Sequence, residues 1–432
     1  MIQKLKLWTK NEIALKAMFA LIIKIIGVIG AFFLNIVIAR KLGAEQAGYF
    51  FLAQAVLLIL TVFIRQGLDN TLVRYIAGYQ VMNKPDLVAG IYSLSLSRVL
   101  PAGVLITVLL WSTSGWVSEN IFSKPQLELA LKWSSLAVVP IAISQLHGFC
   151  FQGQKKIAHA MFFQSAAMSI LAILVVWTVQ PSDARSAMQY YLFSSVVVCS
   201  LSFYFWNRNR IPKLLSLCGE EKHKVLNTAR PLFAIVVLAQ VTQWAGQLML
   251  GAWSSAEDVA LFSVAQRTAL LTSFILIAVN AIAAPKFAEA FKQDNLVQVR
   301  ALSKMSSRLM TLCALPIVGI MMLFAPWLMS LFGEDFTQGA NILRILALGQ
   351  FVNVITGSVG YLLQMTGYEK VLRNNVFISS FIMMSGSAVL IPSYGVIGAA
   401  WVTAFSVAFQ NLLCVFHVKR TLGFNTLNIF AK

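Results

Sequence analysis

The segment that sets the fold is Leu34–Ala77, which reads LNIVIARKLGAEQAGYFFLAQAVLLILTVFIRQGLDNTLVRYIA. One apolar run ends at Ala39, a short polar turn follows around Gly43, and a second apolar run begins at Tyr49. A bilayer is crossed by about 20 apolar residues in a helix, and runs of this length therefore predict membrane spans. We place the first two spans near 14–38 and 47–68.

Part of this segment recurs in the second half of the chain. At an offset of 212 residues, Ala44–Gln54 matches Ala256–Gln266 at five of eleven positions. The offset is close to half of the 432 residues. We interpret the match as an internal duplication, which is a common way of building transporters.

The composition predicts an all-α polytopic membrane protein. Hydrophobic residues make up 58% of the chain and charged residues only 12%, with a mean hydropathy of +0.75. Soluble domains carry about 25% charged residues, so a soluble chain could not bury this much apolar surface. No span shows the alternating pattern of an outer-membrane barrel.

About twelve transmembrane helices are expected, in two six-helix lobes around a central cavity. The predicted domains are an N-terminal lobe at 1–206, a cytoplasmic linker at 207–229 and a C-terminal lobe at 230–432. The remaining spans lie near 87–111, 127–150, 158–180, 187–206, 230–253, 259–283, 305–332, 339–365, 373–392 and 396–418. An even number of spans in each half makes the halves parallel repeats.

The distribution of Lys and Arg predicts the orientation. With the N-terminus inside, the inside segments carry roughly 22 of these residues and the outside loops roughly four. Both termini are therefore expected in the cytoplasm. The same rule explains most of the formal charge of +18, and without a basic soluble domain nucleic acid is not an expected partner.

The sequence contains no motif that predicts catalysis, a bound metal or a cofactor. The five cysteines are scattered without metal or redox spacing. His147 and His159 flank a basic loop and are expected at the membrane interface. Since no nucleophile constellation, metal spacing or phosphate-cradling loop is found, we expect neither enzymatic activity nor a cofactor, and a coupling ion, H⁺ or Na⁺, stays undefined.

Cations inside the predicted spans are the most informative residues. Lys24, Arg98 and Arg267 lie deep in their spans, while Arg65 and Arg344 lie at intermediate depth. No Asp or Glu is found at similar depth. A cation at a helix centre costs about 2.5–3.5 kcal/mol on insertion scales, and such residues usually face a water-filled substrate path. Snorkelling or pairing with backbone carbonyls is the structural alternative. A cationic, acid-free cavity suits an anionic phosphate or pyrophosphate headgroup.

Amide side chains accompany these cations. Hydrogen bonding between helices explains such residues as well as a sugar path does. The candidates for a sugar path are Gln240, Gln243, Gln247, Asn280, Gln350 and Asn353.

Four segments carry a resemblance to a known family. The first-loop segment Ile38–Tyr49 (IARKLGAEQAGY) resembles the signature of the polysaccharide transporter, or O-antigen flippase (Wzx-type), family. Val73–Ala77 after Gly67, Ala284–Ala288 and Leu331–Phe336 fit the same family in order and spacing. This family belongs to the multidrug/oligosaccharidyl-lipid/polysaccharide exporter superfamily, and the resemblance covers essentially the whole chain.

The resemblance implies a flippase that moves undecaprenyl-pyrophosphate-linked oligosaccharides across the bacterial inner membrane by alternating access. Its product would serve O-antigen or capsule synthesis, with a polysaccharide polymerase and a chain-length regulator as further partners besides membrane lipids. Related flippases of lipid-linked precursors carry essential cations in the first, second and eighth helices, which correspond here to Lys24, Arg65 and Arg267. A Lys at 24, where Arg is common, predicts a point charge rather than a bidentate contact.

Three alternatives stay open at this stage. A multidrug antiporter of the same superfamily should carry acids inside its spans for cationic drugs and coupling ions. A membrane-bound polymerase should carry a large outside loop, whereas every outside loop predicted here is short. A non-transporting scaffold would not need cations deep in its spans.

Overall fold

The computed structural model describes the backbone of residues 2–208, 215 and 217–427. Side chains are described at 19 and from 22 onward, except at 235, 278, 281, 282 and 285. Every regular element in these residues is helical. The predicted linker 207–229 includes residues 209–214 and 216, which lie outside the described part of the chain.

The chain divides into two compact units. The N-terminal unit comprises Met1–Leu42 and Leu52–Val237, and the C-terminal unit comprises Gly43–Phe51 and Leu238–Lys432. The helix α8 begins at Gly219 and ends at Trp253, so the predicted linker is helical from residue 219 onward. The boundaries predicted for the two lobes stay a prediction.

The N-terminal unit contains most of the first eight helices. Two π-helical segments, Val117–Ile121 and Phe162–Ala166, follow α3 and α5. The helices are α1 (Ile2–Arg65), α2 (Leu68–Val81), α3 (Pro85–Trp116), α4 (Leu127–Gly153), α5 (Ile157–Met161), α6 (Ala167–Val179), α7 (Ala184–Asn207) and the first half of α8.

The C-terminal unit contains the rest of α8 and seven further helices. Short 3₁₀ turns at Leu270–Thr272 and Glu334–Gly339 precede α10 and α13. The helices are α9 (Ala256–Ala269), α10 (Ser273–Lys292), α11 (Leu296–Leu323), α12 (Ala325–Ser330), α13 (Ala340–Ile355), α14 (Val359–Met365) and α15 (Glu369–Leu422).

The predicted polytopic all-α class is confirmed. Within the described residues, ten helices are long and apolar enough to cross a membrane. Two of these helices, α1 and α15, each consist of two helical halves, because each continues through a glycine with non-helical backbone angles. Gly43 has φ 73° and Gly395 has φ 54°, in the region that strongly favours glycine. Counting each double helix as two crossings gives twelve, in two lobes.

The start of the second half of α1 packs within the C-terminal unit. Gly48 lies so close to the backbone oxygen of Ala256 that a β-carbon would overlap it. Only glycine permits this approach of α1 to the start of α9. The two matching segments thus meet at Gly48 and Ala256 within this unit.

A buried aromatic and hydroxyl cluster holds α3, α4 and α7 together in the N-terminal unit. His147 is fully buried, so the prediction of an interfacial position is wrong. Its Nε2 lies 2.8 Å from the Tyr92 hydroxyl and its Nδ1 lies 2.7 Å from Ser202 Oγ, while Trp206 stacks on its ring. Both ring nitrogens have a partner, which offsets the cost of burying them. The residue is a core histidine.

Small polar residues join the two halves of α15. The Oγ atoms of Ser379 and Ser406 each donate to the other residue's backbone oxygen, at 2.9 and 2.8 Å. Asn375 Nδ2 donates to the Sγ of Cys414 at 3.3 Å. Without a hydrophobic driving force between helices in lipid, such bonds and close packing stabilise a helix pair. They fix the part of α15 that lines the cavity described next.

Candidate substrate cavity and membrane cations

A polar cavity lies inside the C-terminal unit. Its volume is about 260 Å³, and α8, α9, α13 and α15 supply most of its lining. None of the described residues that line it carries a formal charge. Six of them are amides: Gln243, Gln266, Gln350, Asn353, Gln410 and Asn411. Each amide offers both donors and acceptors, so the cavity can bind a neutral ligand rich in hydroxyl or amide groups.

Gln350 on α13 is the most constrained of these amides. Its Oε1 accepts hydrogen bonds from Ser273 Oγ at 2.8 Å and from Asn353 Nδ2 at 3.1 Å. These two bonds fix the orientation of the Gln350 amide. The Nε2 group of Gln350 therefore remains as a donor, and Ser273 on α10 and Asn353 on α13 set its direction. A preorganised donor of this kind favours a ligand oxygen.

The structure brings together three of the six residues predicted for the sugar path. Gln243, Gln350 and Asn353 line the cavity. Gln240 instead accepts a hydrogen bond from Trp244 Nε1 at 2.8 Å. Gln247 is buried and donates to the backbone oxygen of Phe51 at 2.9 Å. Gln247 therefore ties α8 to α1, whereas the hydrogen bond of Gln240 lies within α8.

Asn280 is the sixth predicted residue, and it is buried elsewhere on α10. Its exposed fraction is 3%, and neither amide atom has a hydrogen-bond partner among the described residues. It does not line the cavity. Its role stays a prediction.

Sequence reasoning missed three of the six cavity amides as site residues. Gln266 directly precedes Arg267 on α9, and its Nε2 donates to the backbone oxygen of Gln243 at 3.3 Å. Gln410 and Asn411 are adjacent amides in the last apolar run. Two consecutive amides inside a span are costly in lipid, and that pair is the signal that could have identified them.

Arg65 has an acidic partner, contrary to the expectation that the cations in the spans are unpaired. Its Nε donates to Asp69 Oδ1 at 2.7 Å, and both side chains are more than nine-tenths buried. The pair links the end of α1 to the first turn of α2. Arg65 Nη1 is buried without a hydrogen-bond partner in the described part of the chain. The nearby carboxylate neutralises the charge that a headgroup would need.

Arg267 lies at the C-terminal end of α9 and is half-buried. Its guanidinium carbon lies 4.5 Å from the centre of the Phe51 ring, which is a cation–π distance. Phe51 is itself fully buried and belongs to the same unit. The ring helps to hold the guanidinium in place.

The other three predicted cations differ in their surroundings. Arg344 donates to the backbone oxygen of Met322 at 3.1 Å and to Asn341 Oδ1 at 2.8 Å, so it ties α13 to α11. Lys24 is half-buried in α1 and makes no ion pair with a described residue. Arg98 is exposed on α3. The structure therefore does not gather the five cations into one cluster within either unit.

Family models match this chain over most of its length. The model described as "polysaccharide biosynthesis protein" matches residues 13–291, more than half of the chain. A second model, MatE, matches residues 231–392. The first match includes Lys24, Arg65, Arg98 and Arg267, and the second includes much of the cavity lining.

A curated relative and two solved structures are similar over most of the chain. The probable low-salt glycan biosynthesis flippase Agl15 of Haloferax volcanii is 22% identical over 389 residues, which cover 87% of this chain and 77% of the relative. An inward-facing multidrug resistance MATE family transporter of the MOP superfamily has a TM-score of 0.75 at 16% identity, covering 96% of this chain and 100% of that one.

The lipid II flippase MurJ, in an inward closed conformation, has a TM-score of 0.73 at 15% identity, covering 94% of this chain and 87% of that one. At these identities the two solved structures establish the fold alone. The family follows from the sequence model and agrees with the resemblance of the first-loop motif. The chain belongs to the polysaccharide biosynthesis protein family of the multidrug/oligosaccharidyl-lipid/polysaccharide exporter superfamily.

Proposed function

We propose that the protein is a flippase for undecaprenyl-pyrophosphate-linked oligosaccharides, working by alternating access in the bacterial inner membrane. The observation that carries this proposal is the uncharged, amide-lined cavity of the C-terminal unit. Sugars present hydroxyl and acetamido groups, which need donors and acceptors together, and amide side chains supply both. The family match and the flippase name of the Haloferax volcanii relative support the same class of substrate.

In this proposal the cations divide into two groups. Lys24 on α1 makes no ion pair with a described residue, and Arg267 on α9 lies against the Phe51 ring, and we assign these two cations to the pyrophosphate in their respective units. Arg65 and Arg344 make hydrogen bonds that hold helices together, and we assign them a supporting role. Lys24 would act as a point charge, and Arg267 would offer a bidentate fork.

The proposal also includes the cellular setting. Both termini lie in the cytoplasm, and the exported unit passes to a polysaccharide polymerase and a chain-length regulator for O-antigen or capsule synthesis. The protein moves its substrate without changing it chemically. These statements rest on the resemblance of the motifs and on the Lys and Arg asymmetry of the loops.

A multidrug cation antiporter is the second candidate, favoured by the MatE match and by the MATE fold. A cationic drug needs a carboxylate or a dense aromatic surface in its cavity. The lining of the C-terminal cavity includes neither an acid nor an aromatic residue among the described side chains. The cavity chemistry therefore favours the glycan.

The discriminating experiment changes the cavity amides. In a strain lacking the gene, Gln350→Leu with Asn353→Leu should reduce surface glycan at least tenfold, because two paired amides are replaced by apolar groups of similar size. Gln298→Leu is the matched control, since Gln298 is an exposed amide at the start of α11 outside the cavity. Surface glycan is measured on gels beside a membrane blot for protein level.

Adding one negative charge to the cavity distinguishes the flippase from the cation antiporter. Gln350→Glu should impair glycan export as the apolar change does, whereas it should preserve or raise efflux of a cationic dye by an antiporter. Normal glycan export by both the double variant and Gln350→Glu, at normal protein level, would refute the flippase assignment of this cavity.

A further inference from the structure

Helix α3 presents a long apolar stripe to the membrane. Its exposed side chains include Leu100, Leu105, Val108 and Leu109, and the stripe ends at Trp116, before the exposed Glu119 and Asn120. At about 1.5 Å per residue, residues 100–118 extend about 28 Å, which is close to the thickness of the hydrocarbon core. A polar cavity would not be lined in this way. The stripe is therefore covered by acyl chains, and its first residue marks one edge of the bilayer core.

Arg98 lies directly at this edge. It is exposed, and it makes no ion pair or hydrogen bond within the described part of the chain. Long side chains on a helix point towards its N-terminus, so the guanidinium extends from position 98 out of the core towards the headgroups. The position of the stripe thus favours a shallower depth for Arg98 than the sequence suggested. Arg98 belongs to the membrane boundary of α3.

A second cavity, of about 520 Å³, opens beside this boundary in the N-terminal unit. One face of α3 lines it with Ser93, Leu94, Ser97 and Leu100, and the facing side includes Leu217 and Lys222. Leu217 packs against α3 at Gly90, where an added β-carbon would meet it at 3.0 Å. The cavity is a leucine-lined groove that starts at the level of the headgroups.

Few polar side chains accompany the leucines among the described residues of this groove. Lys222 is exposed and makes no ion pair with a described residue. Arg98 does not line the groove itself, but it follows the lining residue Ser97 and lies one helical turn beyond the lining residue Leu94 on α3. Ser93 Oγ is buried without a hydrogen-bond partner among the described residues. No acidic residue is found among the described residues that line the groove.

We propose that this groove binds one anionic glycerophospholipid. The phosphodiester lies between Lys222 and Arg98, Ser93 donates to an oxygen of the glycerol ester region, and one acyl chain lies along Leu94 and Leu100 into the stripe. Two cations without an acid select a negative headgroup, while the leucines select a lipid over a free phosphate. By the positive-inside rule this is the cytoplasmic leaflet.

The inference goes beyond transport and does not depend on the substrate. The groove belongs to the N-terminal unit, whereas the amide cavity belongs to the C-terminal unit. The protein recognises this lipid by its phosphate and by one of its acyl chains.

The test measures lipid retained by the full-length protein. Protein exchanged into nanodiscs of phosphatidylcholine with a minor fraction of phosphatidylglycerol is released and examined by native mass spectrometry. The wild type should retain one phosphatidylglycerol in preference to phosphatidylcholine. Each cation near a membrane surface contributes roughly fivefold, so Arg98→Gln with Lys222→Gln should reduce this preference about 25-fold.

Two further variants keep the test decisive. Lys370→Gln removes an exposed cation at the start of α15 and should leave retention unchanged. Ser97→Trp fills the groove without changing charge and should also abolish retention, which guards against misfolding of the double variant. Equal retention of both lipids by the wild type, or unchanged retention in the double variant, overturns the proposal. Full displacement of the lipid by millimolar inorganic phosphate would also overturn it, in favour of a simple phosphate site.

Discussion

At the scale of single residues, the cations of the spans separate by their partners. Arg65 and Asp69 form a buried ion pair, whereas Arg267 lies on an aromatic ring. Removing one member of a buried pair leaves an uncompensated charge, while replacing both by apolar residues is often neutral. A cation–π contact contributes roughly 0.5–2 kcal/mol, which is less than the cost of breaking a buried ion pair. The two arginines should therefore respond differently to substitution.

Asp69→Asn should destabilise the protein by about 3–5 kcal/mol, because the Arg65 guanidinium stays buried without its counter-charge. The double variant Arg65→Met with Asp69→Leu should recover most of that loss. Thermal unfolding in detergent measures both effects. The double variant should also keep surface glycan export, since Arg65 is assigned a supporting role. A stable double variant without export would instead place Arg65 in the substrate path.

Arg267→Ala should abolish export at unchanged protein level, because the charge assigned to the pyrophosphate is removed. Arg267→Lys should recover part of it, since the charge remains without the bidentate fork. Phe51→Leu should cause a smaller loss, because it removes a cation–π contact of roughly 0.5–2 kcal/mol but keeps the cation. Surface glycan and a membrane blot are the measurements. Full export by Arg267→Ala would contradict the assignment.

At the scale of elements, local chemistry sets where helices begin and bend. Gly43 and Gly395 allow two long helices to reverse or bend where the sequence shows turn residues. Asp183 begins α7 with a capping box: its Oδ1 accepts from the Ser186 backbone N–H at 2.8 Å, and Ser186 Oγ accepts from the Asp183 N–H at 3.2 Å. Burial raises the pKa of Asp183, but the hydrogen bonds from Ser186 and the charge of Arg185 together hold that pKa below its usual value.

Asp183→Ala should therefore lower stability by about 1 kcal/mol at neutral pH, the usual cost of losing an N-cap. Because the folded pKa is below the unfolded one, the ionised cap contributes fully above the unfolded pKa of about 3.9. Its contribution is lost as the pH falls below that value towards the folded pKa. The thermal midpoint of the wild type should approach that of the Ala variant on acidification. A difference between the two thermal midpoints that stays constant down to pH 3 would contradict an ionised cap.

At the scale of the whole molecule, the distribution of Lys and Arg predicts how the protein is oriented in the membrane. Loops expected outside carry few Lys and Arg, while those expected inside carry most of them. In a background lacking the five native cysteines, Asn120→Cys and Ser182→Cys should react with an impermeant maleimide added to intact cells. Met82→Cys and Gln293→Cys should react only after the cells are opened. All four positions are exposed, so accessibility of the side chain is not limiting. The reverse labelling pattern would invert the topology.

The sequence by itself determined the class, the number of crossings and the family. Apolar runs of about 20 residues decide membrane insertion locally, because each helix satisfies its own backbone hydrogen bonds within the bilayer. The turn residues around Gly43 and Gly395 decided where the runs end. The motif Ile38–Tyr49 indicated the family, and the sequence model confirmed it.

Only the tertiary structure decided which polar side chains act together. Depth along a span is readable from the sequence, whereas the direction of a side chain depends on which helices pack against its own. Gln243 and Gln410 meet at one cavity although 167 positions separate them in the chain. Arg65 forms an ion pair with Asp69, one turn away, and Arg98 is exposed on α3. His147 enters the core because two hydroxyls satisfy both of its ring nitrogens. Each of these outcomes depends on a neighbour that packing supplies, and the period of the apolar pattern contains no information about that neighbour.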